Sequence, residues 1–244
     1  MIFGLVPAVT CLAAVVQAAL GLGFPLVATP IITTIVDPRS AVVTLTLPSF
    51  VLSALQLWRG RAHLGVYREV LTLLLGIVPG GLVGAYLLTV LPVPVLTALI
   101  GGMIILYVVL ATLRLDPRVP VRWRGPAGAV VGLVSGVLGA AAGMNGPIIA
   151  VYLAALRLEK NAFVVAISLA FVAGHVPKIT GYAMLGLFTP HRLLLSALML
   201  PSVALGFVLG TAVRSRISQR AFARALQAFL LVIGVLFVAR ALGG

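Results

Sequence analysis

Long apolar runs recur along this sequence, and their length limits what the chain can fold into. A helix of about 20 apolar residues crosses the hydrocarbon core of a bilayer. Only 9% of the 244 residues are charged, so such runs meet few interruptions. The sequence therefore predicts an all-α polytopic membrane protein, with spans over 40–57, 69–90, 95–113, 161–186, 192–213 and 222–242.

Two further apolar segments, 5–36 and 127–156, are dense in residues that weaken a helix. The first contains Gly21, Gly23, Pro25 and Pro30, and the second contains Gly139, Gly143, Gly146 and Pro147. Backbone of this kind is tolerated at membrane depth where it is buried in protein or lines a cavity. We therefore expect two broken helices that face each other as halves of one binding site.

The plan of the chain repeats once, at offsets of 117 to 122 residues. The matches are Pro30 with Pro147, Pro79 with Pro201, and Gly84 with Gly206. Each half contains a broken segment, a helix, a Pro-containing helix and a helix. Weak internal symmetry with interrupted segments in matching places is typical of secondary transporters. We expect a first membrane repeat over 1–113, a cytoplasmic linker over 114–126 and a second membrane repeat over 127–244.

The loop charges bear on the topology of the broken segments. If each segment is a re-entrant hairpin, one face of the membrane receives 13 of the 17 Lys and Arg, in loops 58–68, 114–124, 157–160 and 214–224. If each is a full span, the positive charges divide almost evenly between the faces. The positive-inside rule favours the hairpins and a cytoplasmic location for the basic loops. Each half then has three full spans, so the two repeats are inverted. A kinked full span remains the alternative.

The tips of the broken segments are the first candidates for binding residues. Half-helix N-termini offer free N–H groups and a positive dipole end, which favour an anion, and glycine lets the backbone approach a ligand closely. The alternative is that small residues only allow close helix packing. The candidates are Gly21, Gly23 and Thr29 in the first tip, and Gly139, Gly143, Asn145 and Gly146 in the second.

Lys178 is the one Lys or Arg well inside an expected span. An ionisable group at membrane depth is costly and indicates function, here the binding of an anion, unless the side chain snorkels to the interface. His175 lies three residues earlier on a similar helical face and is a second candidate, or a hydrogen-bonded packing residue. Other polar residues at depth could line the site or bond neighbouring helices: Gln17, Ser49, Gln56 and Ser135.

Residue types and motifs that the sequence lacks narrow the classes of substrate and cofactor that we expect. All four carboxylates lie in loops or at span ends, which argues against a cation substrate and against coupling through a buried carboxylate: Asp37, Glu69, Asp116 and Glu159. Cys11 is the single cysteine, no Cys/His cluster suggests a metal, and no Gly-x-x-x-x-Gly-Lys-Ser/Thr motif suggests ATP. The net charge of +13 lies in short loops, as topology signals do, so nucleic acid is not an expected partner.

The second half carries a resemblance to a known family. Gly132-x-x-Ser135-Gly136-x-x-Gly139 runs on to Gly146-Pro147, and the first half has the shorter form Gly21-x-Gly23 followed by Pro30. With its two-half layout, the whole chain resembles the TauE/SafE sulfite-exporter family of membrane permeases. The resemblance implies transport of sulfur-containing anions, such as sulfite or organosulfonates, across a bacterial inner membrane, often outward.

Three functions therefore stand as hypotheses. The first is a secondary transporter of a small anion, without catalytic residues or cofactor, that works by alternating access about the two tips. The second is an anion or solute channel on the same scaffold. The third is a membrane assembly subunit that does not transport. The expected partners are the lipid bilayer and the small anion, and a homo-oligomer is left open.

Overall fold

The structure is a computed structural model and describes residues 2–21, 23–113, 118–213 and 231–232. In these residues all regular secondary structure is helical, as expected. The helices are α1 (Ile2–Leu20), α2 (Phe24–Ile32), α3 (Pro38–Thr44), α4 (Thr46–Arg59), α5 (Tyr67–Val90), α6 (Val93–Thr112), α7 (Val121–Ala141), α8 (Gly146–Ala155), α9 (Lys160–Met184) and α10 (Pro190–Val213). The expected loop at 214–224 lies outside the described residues, as does the expected span 222–242 except for 231–232.

Six helical segments are long and apolar enough to cross a membrane: Pro38–Arg59, Arg61–Val90, Val93–Leu110, Val121–Ala141, Lys160–Met184 and Pro190–Ala212. The chain is therefore a multi-pass membrane protein. Leu5–Leu20 and Gly146–Ala155 are shorter apolar helices.

Both segments that were expected to be broken are interrupted, and the structure gives the position of each interruption. In the first, α1 ends at Leu20 and α2 begins at Phe24, and Pro25 and Pro30 lie within α2. The second breaks at residues 142–145, between α7 and α8. Proline is tolerated in the first turn of a helix, where its missing N–H has no partner to lose, and this explains Pro25 and Pro147.

Two expected loops are partly helical. The loop expected over 114–126 is helical from Val121, and α7 continues through Pro126 in its second turn. The basic loop 58–68 contains a short 3-10 helix, Arg61–Val66. The span expected over 40–57 is confirmed within Pro38–Arg59 and consists of two helices, α3 and α4, which meet at Leu45.

Helices α5 and α7 run in the same direction and touch backbone to backbone. A Cβ on Gly76 would overlap Ala129, one on Gly80 would overlap Leu133, and one on Gly84 would overlap Val137, so positions on both helices advance together. Small residues allow such close approach in membrane helices. The first helix of the second broken segment is thereby held against the Pro79 helix of the first half.

A second parallel pair has the same plan. Gly206 of α10 packs on Cys11 and Ala14 of α1, and Gly210 packs on Val15 and Ala18. Gly206 and Gly84 are the pair matched in the sequence repeat. Each lets the Pro-containing helix of its own half approach the first broken helix of the other half.

Helix α8 turns back along α7. The Tyr152 hydroxyl donates a hydrogen bond of 2.8 Å to the carbonyl oxygen of Arg124, and a Cβ on Gly128 would lie 2.7 Å from the same hydroxyl. The end of α8 therefore lies beside the start of α7. Arg124 also lies 3.6 Å from Glu69 at the start of α5. The start of α5, the start of α7 and the end of α8 therefore lie close together.

We call this the basic end. It is formed by segments 59–69, 118–124 and 157–161, and Gly60 contacts Val165 of α9 there. The opposite, far end is closed by arginines. Arg39 donates to the carbonyl oxygens of Leu88 and Leu91, at 2.8 and 3.1 Å.

Arg192 closes the far end from the other side. It donates to the Ser40 hydroxyl and to the carbonyl oxygen of Leu187, each at 2.9 Å. Asp37 caps α3 through the Ser40 N–H. Burial raises the pKa of Asp37, but the Ser40 hydrogen bonds and the nearby charge of Arg192 outweigh it, so the pKa lies below its ordinary value.

Candidate functional site

Both interrupted segments contribute to one small central cavity of about 20 Å³. The first supplies Gln17 and Pro25, and the second supplies Gly136, Gly139, Gly143 and Asn145. Helix α4 adds Ser49 and Ser53, and α9 adds Phe171, Gly174, His175 and Lys178. Two interruptions far apart in sequence therefore face one space, together with the ionisable residues of α9.

Lys178 lies in the wall of this cavity and does not snorkel to an interface. Its side chain is only 7% exposed, and it has no hydrogen bond or carboxylate partner among the described residues. Its Nζ lies 5.7 Å from the centre of the Tyr182 ring. A buried cation without a counterion is strongly disfavoured. A bound anion would supply the counterion that the described residues lack.

Contacts on either side of Lys178 fix its position. Gly81 of α5 lets Pro177 approach, since a Cβ there would lie 2.7 Å from the proline ring. The Tyr182 hydroxyl donates to the carbonyl oxygen of Ala140, near the end of α7. Helix α9 is therefore tied both to α5 and to the second tip.

One ring nitrogen of His175 has a hydrogen-bond partner, and the other has none among the described residues. Its Nδ1 lies 2.6 Å from the carbonyl oxygen of Phe171. A carbonyl only accepts, so Nδ1 carries the hydrogen and Nε2 has no partner among the described residues. The ring also packs at 6.0 Å from that of Phe50. His175 is thus both a packed residue and a residue of the cavity wall.

The second tip leaves space for the side chain of Asn145. Asn145 precedes α8 without using its side chain as a cap. Gly139 makes room for it, since a Cβ there would lie 3.0 Å from Asn145 Nδ2. Gly143 has a φ of +76°, which favours glycine. The tip therefore presents an amide and bare backbone to the cavity.

The first tip is closed by its glutamine. Gln17 Oε1 accepts from the N–H of Phe24 at 3.2 Å, so the first N–H group of α2 is already used. Gly21 and Gly23 take φ values of +91° and +132° and form the turn. Neither lines the cavity, and Gly21 instead faces Val164.

The sequence candidates therefore divide. Gly139, Gly143, Asn145, His175 and Lys178 line the central cavity, whereas Gly21, Gly23, Thr29 and Gly146 do not. Thr29 is buried, and its hydroxyl lies 3.5 Å from where a Gly143 Cβ would be. Ser135, a further polar candidate, donates to the carbonyl oxygen of Gly132 and does not reach the cavity.

Some cavity residues carried too weak a signal in the sequence. Ser53, Pro25, Gly136, Phe171 and Gly174 complete the wall. Ser53 donates to the carbonyl oxygen of Ser49 at 2.8 Å, and the Ser49 hydroxyl itself has no partner among the described residues. A short apolar helix with scattered serines does not reveal which face it turns to a cavity.

The described carboxylates lie away from this cavity. Asp37 and Glu159 precede α3 and α9, and Glu69 is in the first turn of α5. Acidic groups at helix N-termini complement the helix dipole. Within the described part of the chain, the cavity wall therefore offers an ammonium, hydroxyls, amides and an imidazole, but no negative charge.

The model of the family described as Sulfite exporter TauE/SafE matches residues 6–237. The chain belongs to the TauE/SafE family. Its members are membrane transporters of sulfur-containing anions and are not enzymes. The resemblance seen in the sequence is confirmed, and a small anion is the substrate class that the family implies. Comparisons with curated proteins and with solved structures gave no match.

Proposed function

We propose that this TauE/SafE protein is a secondary transporter that binds sulfite or a small organosulfonate in the central cavity. The observation that carries the proposal is the buried ammonium of Lys178, which faces the cavity without a counterion among the described residues. An anionic oxygen there forms a charge-assisted hydrogen bond. Asn145, His175, Ser49 and the backbone at Gly139 and Gly143 surround the rest of the anion.

The remaining sequence candidates shape the site in this proposal. Gly21 and Gly23 form the first turn, Thr29 supports Gly143, and Gly146 begins α8. Their substitution would alter the tips without removing a direct ligand. Gly146 is the most tolerant of them, because a Cβ there meets Phe171 at an ordinary 3.6 Å.

The mechanism we propose is alternating access. A cavity of about 20 Å³ has room for about one water molecule and none for an oxyanion, so in this mechanism it represents a closed state. The anion then enters only after the protein between the cavity and one end of the molecule opens. A channel would require a path that is open to both ends at the same time.

The proposed architecture is a pair of inverted repeats with re-entrant hairpins. Three contacts support it: the return of α8 to the start of α7, and the two parallel pairs α5–α7 and α1–α10. Helix α7 is also long enough to span, so its length alone does not decide. By the positive-inside rule, we place the basic end in the cytoplasm.

Ligand-induced stabilisation tests the substrate class. The purified protein is heated with sulfite, thiosulfate, taurine, isethionate, sulfoacetate, acetate or a cation of similar size. We expect sulfur oxyanions to raise the melting temperature in a saturable way, since a ligand that binds only the folded state stabilises it. Equal stabilisation by the cation would refute an anion site.

Flux measurements separate the transporter from the channel. For a transporter, the initial rate of anion uptake into proteoliposomes saturates with concentration, and unlabelled anion on the opposite side accelerates exchange. A rate that rises linearly without exchange would favour the channel. No residue contact in the described chain favours the assembly-subunit hypothesis, and copurification of a stoichiometric partner would revive it.

A further inference from the structure

A second and larger cavity lies at the basic end. Its volume is about 310 Å³, and Arg59, His63 and Asn161, all exposed, give it polar walls. The Arg59 guanidinium lies 6.0 Å from the centre of the Phe207 ring on α10, which holds this cation at the wall. The described residues include no carboxylate in this lining. We call this space the basic-end chamber.

The basic-end chamber and the central cavity approach each other at one pair of side chains. Gln56 lines the chamber and Gln17 lines the central cavity. Gln17 Nε2 donates to Gln56 Oε1 at 3.3 Å, and Gln56 Nε2 donates to the Gln17 carbonyl oxygen at 3.1 Å. Both side chains are buried, with 1% and 7% exposed. The Gln17–Gln56 pair therefore lies between the two spaces.

The two barriers around the central cavity differ in construction. Towards the far end, Arg39 and Arg192 are charged and bonded to several carbonyl oxygens and a hydroxyl. Towards the basic end, two neutral hydrogen bonds join α1 to α4. Hydrogen bonds to charged groups are about twice as strong as neutral ones. The glutamine pair is therefore the weaker barrier.

From this arrangement we infer that the Gln17–Gln56 pair is the gate at the basic end, and that the basic-end chamber is the anion's vestibule. Separation of the two amides joins the vestibule to the central cavity while the far end stays closed. In the vestibule, Arg59 attracts anions and Asn161 and His63 offer hydrogen bonds. The inference rests on the proposed function for the identity of the anion, but the gate itself is tested without transport.

Thiol labelling at a cavity residue tests the gate. In the full chain with Cys11→Ser, which leaves no other cysteine, Ser53→Cys reports access to the central cavity. The reagent is the membrane-impermeant sulfonate MTSES, applied from the basic end or the far end in vesicles of opposite orientation. Asn161→Cys, in the vestibule, reports that the reagent has reached the chamber.

We expect Gln56→Ala to raise the labelling rate of Ser53→Cys from the basic end by about 10- to 100-fold, because the substitution removes both hydrogen bonds of the pair. From the far end the rate should not change. Gln56→Asn, which keeps the amide but is one methylene shorter, is expected to act in the same direction and serves if Gln56→Ala does not fold. Thr10→Ala, on the same helix as Gln17 but bonded to Ser202, is the control.

An unchanged rate from the basic end, in a folded variant whose Asn161→Cys counterpart is labelled, overturns the gate. An equal rise from both ends also overturns it, since it indicates general loosening. If the rate rises from the basic end but no anion is transported, the gate stands and the proposed function fails. If anion is transported and the rate is unchanged, only the gate fails.

Discussion

Replacement of Lys178 by methionine is the sharpest single perturbation of the site. Methionine has a similar length, so the change removes the ammonium and leaves the α9 packing around Pro177 and Tyr182 largely in place. The cation is buried without a counterion among the described residues. Removal of an uncompensated buried charge leaves stability unchanged or raises it. We therefore expect a folded protein that melts no lower than the wild type.

Anion affinity should fall in the same variant. A hydrogen bond to a charged group contributes about 1.5–3 kcal/mol, which corresponds to an increase in Kd of about 10- to 150-fold. At a ligand concentration about 100 times the wild-type Kd, the anion stabilises the wild type by about 2.7 kcal/mol. With a Kd about 100-fold weaker, that stabilisation falls to about 0.4 kcal/mol.

The assay is a thermal-shift titration of both proteins with the anion that the ligand panel selects. Lys160→Met is the matched control, since Lys160 begins the same helix, is exposed and lines neither cavity. The control should keep the wild-type Kd. If Lys178→Met binds within about threefold of the wild type, the ammonium is not the anion's countercharge and the reasoning is wrong.

The remaining predictions concern the scaffold. Gly143→Ala should lower the free energy of unfolding by about 1–2 kcal/mol, because φ is +76° at this position. Gly102→Ala, with open space around the added Cβ, should not, and thermal unfolding compares the two variants. Gly84→Ala should part α5 from α7 and abolish uptake even where protein is still recovered from the membrane, because its Cβ would overlap Val137 and Ala140; normal uptake would contradict the close contact. Asp37→Ala should cost about 1 kcal/mol of cap energy. Since the folded-state pKa of Asp37 is lowered, this stabilisation is present above the ordinary pKa and is lost as pH falls through the folded value; equal unfolding of the two proteins at pH 7 would refute it.

Much of the fold could be predicted because membrane spans depend on length and hydropathy alone. The two interruptions were predicted from glycine and proline density, and they appear between α1 and α2 and between α7 and α8. The start of α7 at Val121 was missed, because its basic first turn has the composition of a loop. Charge marks which end of a helix meets the membrane surface, and it does not mark where the helix begins.

The candidate site was predicted less completely, and the reason is geometric. Lys178 and His175 were identifiable because ionisable groups at depth are rare. Ser53 and Phe171 were not, since their role depends on how α4 and α9 are rotated towards the cavity. Arg59 was read as a topology signal, and only the packing of α4 against α10 shows it on the wall of a chamber.

The most direct test of the central claim is counterflow of radiolabelled sulfite in proteoliposomes that contain the purified protein. Vesicles preloaded with unlabelled sulfite should accumulate the label transiently, at a rate that saturates. Lys178→Met should abolish this accumulation, and Lys160→Met should retain it. Saturable counterflow that is equally fast in Lys178→Met would contradict the account, as would the absence of counterflow for sulfite and every organosulfonate offered in its place.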